Sequence, residues 1–484
     1  MWRLRHVVWL LALLMALRLL GMAVMPLTGT SEPRYAEMAR LMAETGDWIT
    51  PWFTPEQPFW GKPPFSFWVQ ALAFKLLGVT EFAVRLPSWL ATLGSMGLIF
   101  VYARSHFGVQ VAAWALGVYA SCALVFIAAG AVLTDPFLAL ATTWAMVALA
   151  MSAKAPSWYW RYGFFVALAL GLLAKGPLIG VLVAGPMLPL MLFYPSLRST
   201  VLRLPWLTGG ALMLLLSLPW YVLAELKTPG FLNYFLVGEH FLRFIDSGWA
   251  GDLYGVAHKR VKGAIWLDVV VASFPWGLLA LGLVLRRVMQ PAQRALLWQK
   301  RQDPQTAYLL AWALFTPMFF TLSGNILWTY VLPALAAFSV LMAQGMAAHP
   351  ATKSWHKPAQ LGLVALMPLV VTGYMVLGAL QPERLKTEKY LVAYASAQMK
   401  PGDTLIYLNE VPFSATFYSR EQAKAVTLPE LMTRQPSQTT RLLAVPKQDW
   451  GKVSGAFTAP LPRLFESREH VLTVIPPTAL QQAP

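Results

Sequence analysis

The sequence predicts an all-α polytopic membrane protein of about eleven transmembrane helices with a small C-terminal α/β domain, and three observations carry that expectation. Hydrophobic residues fill 57% of 484 positions and charged ones only 12%, with a mean hydropathy of +0.53. Several apolar runs reach the roughly 20 residues that cross a bilayer, which excludes an ordinary soluble globule. Past residue 380 the chain turns polar, and short strand-like runs alternate with turn signals.

Taken in order, Arg3, Arg5 and His6 precede an apolar run over residues 7–27. It lacks a small-x-small cleavage site and is interrupted by Arg18, so an uncleaved first span with a cytoplasmic N-terminus is expected. A long outer loop, residues 28–85, follows. Ten further spans are expected up to residue 380, among them 109–129, 136–151, 204–224, 267–285 and 328–346. Cations in alternate loops agree with that topology: Arg104; Lys154 and Arg161; Arg198 and Arg203; Arg286, Arg287, Arg294, Lys300 and Arg301; Lys353 and Lys357. An odd span count leaves residues 381–484 outside as the small domain, with strands expected at 404–408, 441–445 and 471–475. Residues 1–380 form the membrane domain. No internal repeat is visible, which speaks against repeat-built transporter folds. The net charge of +16 is scattered through loops, where it reports orientation and contact with anionic lipid rather than nucleic acid. Cys122 stands alone, so neither an intrachain disulfide nor a cysteine-based metal site can form.

Against this apolar background the charged residues are informative. Ser31-Glu-Pro-Arg-Tyr-Ala-Glu-Met-Ala-Arg40 has helical spacing, with Ser31 or Glu32 at the cap, Tyr35, Met38 and Met42 on an apolar stripe, and Arg34, Glu37 and Arg40 on a polar one. Gly46-Asp47-Trp48 and an aromatic, proline-rich run lead to Lys62, held between Gly61 and two prolines. A solvated interfacial helix with snorkelling cations accounts for these residues, and so does a binding site. Asp135, followed by Pro136, suits a helix N-cap or a site carboxylate. Lys175 suits a helix C-terminus or an anion contact. Glu239, His240 and Arg243 share a helical face that could address one ligand, with a local Glu–Arg ion pair as the alternative. Tyr330 fits an aromatic belt or a ligand contact.

The first-loop residues Glu32, Arg34, Tyr35, Ala36, Glu37, Gly46, Asp47, Trp48, Lys62 and Pro63 resemble the pattern of the C-type lipid-linked-sugar glycosyltransferases. The likeness is strongest to the bacterial branch with the aminoarabinose (lipid A) transferases, and more distant to the protein O-mannosyltransferases. Leu-Thr-Asp-Pro at 133–136, Glu-His-x-x-Arg-Phe at 239–244 and Thr-Tyr-x-Leu-Pro at 329–333 extend it. Three positions depart: Ser31 replaces an acidic residue, Gly61 a glutamate and Asn325 a lysine.

The resemblance implies a multi-pass enzyme of the bacterial inner membrane, moving a sugar from a polyprenyl-phosphate donor to a lipid, glycan or protein acceptor on the periplasmic side. Aminoarabinose transfer to lipid A is its nearest precedent. It implies Glu32 or Asp135 as the carboxylate that takes the acceptor's proton, Glu32 being preferred. Arg34, Tyr35, Lys62, Glu239, Arg243 and Tyr330 form the implied substrate-binding set, and Lys175 joins it as the anion contact that its place at a helix break allows. It offers His240 as a ligand for a divalent cation, a site that Gly61 weakens, and no other cofactor. Stabilising a phosphate leaving group with fixed cations while a carboxylate removes a hydroxyl proton suits these residue types. A multispan lipid or sugar transporter is the alternative; it should carry ionisable residues in mid-helix, whereas here they gather at helix ends and loops. A scaffold binding anionic lipid is a third reading.

Overall fold

The computed structural model describes residues 4–246, 248–255, 258–290, 303–348, 356–433, 441–457 and 460–475. Arg294, Lys300, Arg301 and Lys353, among the loop cations expected inside, lie outside the described residues. The chain divides into two compact units, Met1–Met22 with Leu41–Thr372 and Ala23–Arg40 with Gly373–Pro484.

The first unit is helical. Among the described residues five helices are long and apolar enough to cross a membrane: Glu81–Phe107, Asp135–Lys154, Trp206–Lys227, Trp328–Ala347 and Ala359–Leu380. Val8–Val24, Phe65–Leu77, Val109–Ser121 and Leu178–Phe193 are apolar but shorter. Helix Asp135–Lys154 is the centre of the core; Ala139, Ala141, Ala145 and Ala148 on it, and Ala167 and Ala169 on Trp158–Lys175, are all buried. Small residues let helix backbones approach closely where lipid offers no hydrophobic contrast. Leu207, Leu215 and Leu226 of Trp206–Lys227 stay exposed, as a lipid-facing surface requires. Helix starts are capped where the sequence offers an oxygen, Thr80 accepting from Ala83 N–H at 3.2 Å and Ser157 from Trp160 N–H at 3.4 Å.

Two runs expected as continuous spans are broken. Residues 109–129 form Val109–Ser121 and Ala123–Ala128, with Cys122 extended between them. Residues 267–285 form Ile265–Ala272 and Trp276–Met289, bent by 116°. Pro275 sits at that bend, where a missing N–H and a ring clash interrupt the helical ladder. The breaks satisfy each other: Ala123 N–H donates to Phe274 O at 2.9 Å, and the Trp276 indole to Ser121 Oγ at 2.8 Å. Unwound backbone at membrane depth needs such partners. Arg18 stays within helix Leu4–Val24 and closes a third end, donating at 2.9 Å to both Phe126 O and Ile127 O.

In the second unit the tail forms a five-stranded sheet in the order β4-β3-β5-β7-β6. The strands are β3 (Thr404–Leu408), β4 (Lys424–Val426), β5 (Arg441–Pro446), β6 (Phe465–Glu466) and β7 (His470–Ile475); β1 (Trp52–Thr54) and β2 (Gln57–Pro58) make a hairpin in the first unit. β3 runs parallel to β4 and β5, and β7 antiparallel to β5 and β6. Strand alternation sends Ile406, Leu408, Leu443 and Val445 to one apolar cluster and Leu405, Tyr407, Leu442 and Ala444 to another.

Helix Ser31–Thr45 begins in this unit. Glu32 in its first turn accepts from Thr28 N–H at 3.1 Å. The polar stripe of the sequence is not solvated: Glu37 and Arg40, each 3% exposed, pair at 2.5 Å, and Arg40 also meets Glu421 at 3.4 Å. Leu27 N–H donates to the Tyr418 hydroxyl at 2.7 Å, and Gly29 N–H to Lys386 O at 3.0 Å.

Candidate active site

In the first unit the loop after Thr45 is shaped around Asp47. Its carboxylate accepts from Ile49 and Thr50 N–H at 3.1 Å, the Trp52 indole at 2.7 Å and Lys227 Nζ at 2.6 Å. Burial pushes the Asp47 carboxyl up, but these donors, led by Lys227, hold it below its ordinary value. Further on, Phe59 packs edge-on against Phe67 and Tyr254, and the Tyr254 hydroxyl links Pro58 O to Trp60 N–H. A Cβ at Gly61 would lie 2.8 Å from the Phe59 ring, so a glutamate cannot stand here without moving that aromatic stack.

The loop delivers Lys62 to a carboxylate on a distant segment. Lys62 Nζ lies 3.2 Å from Glu239 Oε2, and Arg243 Nη1 reaches Glu239 Oε1 at 2.8 Å and Asp252 Oδ2 at 3.4 Å. Burial pushes Glu239 up, yet the Lys62 and Arg243 charges outweigh it and hold the carboxyl below its usual range. The local Glu–Arg pair is therefore present, but as part of a network spanning 177 residues of sequence.

A second cluster stands beside it. Asp135 is the first residue of its helix, and the cap position falls on Thr134, which makes no side-chain capping bond. Asp135 is thus not the cap: its Oδ1 accepts from Lys175 Nζ at 2.5 Å, and both residues are buried. Lys175 Nζ also lies 4.7 Å from the centre of the Tyr330 ring, carried by the 3₁₀ turn Trp328–Ala334. Tyr330 in turn lies close enough to Arg243 to bear on its charge, so the two clusters adjoin.

His240 is where the helical expectation fails. The segment Asn233–Leu242 is a π-helix, whose wider turn rotates His240 off the Glu239–Arg243 face. Its Nδ1 lies 2.8 Å from Phe235 O, five residues back, and its Nε2 3.1 Å from Lys175 O. Gly176, at φ +75°, makes room for the ring: a Cβ there would stand 2.6 Å from Phe235 and 3.1 Å from His240 Nε2. Both ring nitrogens face carbonyls and Glu239 is held by two cations, so these residues do not fit a divalent ion as arranged. Among the described residues no group of three His, Cys, Asp or Glu side chains is gathered to hold a metal.

Burial also pushes the His240 imidazole below its ordinary value of 6.5. Below pH 6.5 the unfolded chain therefore binds a proton that the folded chain resists, and stability is lost as pH falls toward the folded value. Glu239, lowered from 4.5, adds a loss as pH falls below 4.5. Thermal unfolding of the wild type should thus weaken on acidification beneath 6.5, and His240→Gln should flatten the upper part of that slope. Identical slopes in both proteins would refute this origin.

Lys62, Glu239 and Arg243 therefore come together, Asp135, Lys175 and Tyr330 lie beside them, and the His240 ring meets the Lys175 carbonyl. Glu32, Arg34 and Tyr35 belong to the other compact unit, where the Arg34 guanidinium lies 5.1 Å from the centre of the Tyr35 ring and 5.8 Å from that of Phe413. Asp252 was missed: nothing in its Gly-rich surroundings marks it as a partner of Arg243. Lys227 was missed as the partner of Asp47, since a lysine ending an apolar helix is read as a dipole effect.

Fold and sequence together make the chain similar to sugar transferases that use lipid-phosphate donors. Residues 61–222 match the family model described as dolichyl-phosphate-mannose-protein mannosyltransferase. An undecaprenyl phosphate-alpha-4-amino-4-deoxy-L-arabinose arabinosyl transferase of Yersinia pestis (strain Pestoides F) is 30% identical over 321 residues, 64% of this chain and 54% of that protein. A transferase of the same name from Serratia proteamaculans is 29% identical over 383 residues, 75% of this chain and 65% of that protein. The chain thus spans about half the length of the Yersinia relative. Among solved structures, ArnT from Cupriavidus metallidurans bound to undecaprenyl phosphate superposes with a TM-score of 0.75 over 97% of both chains, at 18% identity. The archaeal oligosaccharyltransferase AglB from Archaeoglobus fulgidus, in complex with an inhibitory peptide and a dolichol-phosphate, reaches 0.51 at 12% identity, covering 92% of this chain and 69% of that one. These matches bear out the resemblance read from the first loop.

Proposed function

We propose that this protein is an integral membrane glycosyltransferase that moves a sugar from a polyprenyl-phosphate donor to an acceptor hydroxyl at the outer face of a bacterial inner membrane, aminoarabinose transfer to lipid A being the nearest precedent. The observation that carries the reading is the convergence of Lys62, Arg243 and Lys175 on buried carboxylates next to Tyr330, within a fold shared with a protein solved in complex with undecaprenyl phosphate. In this reading Lys62 and Arg243 exchange Glu239 for the donor phosphate, and Lys175 and Tyr330 line its flank. The bond from the sugar's anomeric carbon to phosphate oxygen breaks, the phosphate leaves with the electron pair, and the acceptor oxygen bonds the sugar while its proton passes to the base carboxylate, the role that the first-loop resemblance gives to Glu32. Asp135 positions the acceptor or supports the donor through Lys175. The same resemblance assigns Arg34 and Tyr35 to substrate contacts. Eleven spans, a cytoplasmic N-terminus and an outer domain formed by residues 381–484 belong to the same reading. A reporter active only outside the cytoplasm, fused after Pro484, is expected to be active; a silent one would invert the topology.

The transporter reading is tested by supplying polyprenyl-phosphate-linked labelled sugar to purified protein and looking for covalent transfer. In that assay Lys62→Ala should lower transfer at subsaturating donor by about ten- to a hundredfold, as expected from losing one charge-assisted hydrogen bond of about 1.5–3 kcal/mol. Unchanged transfer would leave Lys62 a snorkelling cation.

A further inference from the structure

Lys62 and Arg243 come from segments far apart in the sequence, and one tyrosine ties those segments together. Asp252 meets Arg243 Nη1 through Oδ2 at 3.4 Å, and its Oδ1 accepts from Tyr254 N–H at 3.0 Å. The Tyr254 hydroxyl then crosses 196 residues of sequence, donating to Pro58 O at 2.7 Å and accepting from Trp60 N–H at 3.0 Å. Between those two, Phe59 N–H donates to Pro51 O at 2.7 Å. The Trp60 indole adds a second tether, donating to Thr228 Oγ1 at 3.1 Å.

Lys62 follows the tethered Trp60 by two residues and precedes Pro63, which restricts its backbone to extended conformations. Gly61, between them, is closed in by the Phe59 ring. Once Trp60 is fixed, little backbone freedom is left to Lys62. The Tyr254 ring is itself packed: it is buried, lies edge-on to Phe59 with centroids 4.7 Å apart, and stands 5.2 Å from Phe53 and 5.8 Å from Tyr234. Burial pushes its hydroxyl up to about 12, so it stays protonated and able to donate to Pro58 O.

We infer that Tyr254 is a positioning residue for Lys62, its hydroxyl setting the loop so that Lys62 and Arg243 address the same anionic group. The consequence for transfer rests on the donor-phosphate reading above; the placement of Lys62 does not. Tyr254→Phe keeps the ring stack and deletes only the hydroxyl. Tyr308→Phe is the control, deleting a buried hydroxyl that donates to Met146 O at 2.6 Å, outside this loop. The first measurement, on the full-length protein in detergent, is acylation of Lys62 by an amine-reactive ester, read by peptide mass spectrometry against the exposed Lys400. Lys62, paired with Glu239 in the wild type, should react several times faster in Tyr254→Phe and at the wild-type rate in Tyr308→Phe. The second is equilibrium binding of undecaprenyl phosphate, which should weaken about three- to tenfold in Tyr254→Phe, the size of a lost neutral hydrogen bond. Adding Tyr254→Phe to Lys62→Ala should cost no further affinity, because the hydroxyl acts through Lys62. Thr228→Val, which removes the second tether, should move both readouts the same way and carries the test if Tyr254→Phe does not fold. Unchanged Lys62 acylation in the folded variant, or additive losses in the double variant, would overturn the inference. A wild type that does not bind undecaprenyl phosphate, with Lys62 acylation still dependent on Tyr254, would refute the donor reading and leave the positioning role standing.

Discussion

Glu32→Gln is expected to lower turnover about 100- to 10,000-fold, the contribution of a general base, while donor affinity stays near wild type. The substitution suits the question because an amide oxygen can still accept from Thr28 N–H, the bond Glu32 makes at 3.1 Å, so the first turn of helix Ser31–Thr45 keeps its anchor. Ser31 does not ionise at physiological pH and offers no replacement. Asp135→Asn, measured beside it, separates the two carboxylates. Asp135 is held by Lys175 at 2.5 Å, a pairing that fixes the orientation of both side chains. Loss of turnover in Asp135→Asn alone would reverse the roles. Full turnover in both variants would end the catalytic reading of either residue.

The largest effect on stability is expected at the same pair. Lys175→Met should destabilise the protein by about 3–5 kcal/mol, because it leaves the buried Asp135 carboxylate without its counter-charge. Replacing both, Lys175→Met with Asp135→Leu, removes the stranded charge and should recover most of that loss in a thermal unfolding assay. Transfer should not recover with it. If the double variant regains both stability and transfer, the pair serves the fold alone; if the single variant unfolds at the wild-type temperature, the pairing is not formed in the membrane.

Contacts within a segment were legible in the sequence, and contacts across the fold were not. The strands expected at 404–408, 441–445 and 471–475 coincide with β3, β5 and β7, because alternation and flanking turn residues encode them locally. Lys62, Asp135, Lys175, Arg243 and Tyr330 stood out because a charge or a placed hydroxyl in so apolar a chain needs a reason. Their partners did not, since Glu239 reaches Lys62 across 177 residues and Asp135 reaches Lys175 across 40. Hydropathy also concealed the helix breaks. Cys122 and Phe274 are apolar, and a window average cannot register that each backbone leaves the helix only because the other supplies its hydrogen bond.

The second unit carries a lesson for anyone building hybrids. Residues 23–40 group with the C-terminal tail, through Tyr418 on Leu27, Lys386 on Gly29 and Glu421 on Arg40. A module defined by a single cut near residue 380 would separate these partners. A chimera that imports a foreign tail would confront Leu27 N–H and the Arg40 guanidinium with surfaces that never coevolved with them. The exchangeable piece is discontinuous, 23–40 together with 373–484, and swaps that respect both seams should tolerate transplantation where single-seam swaps misassemble.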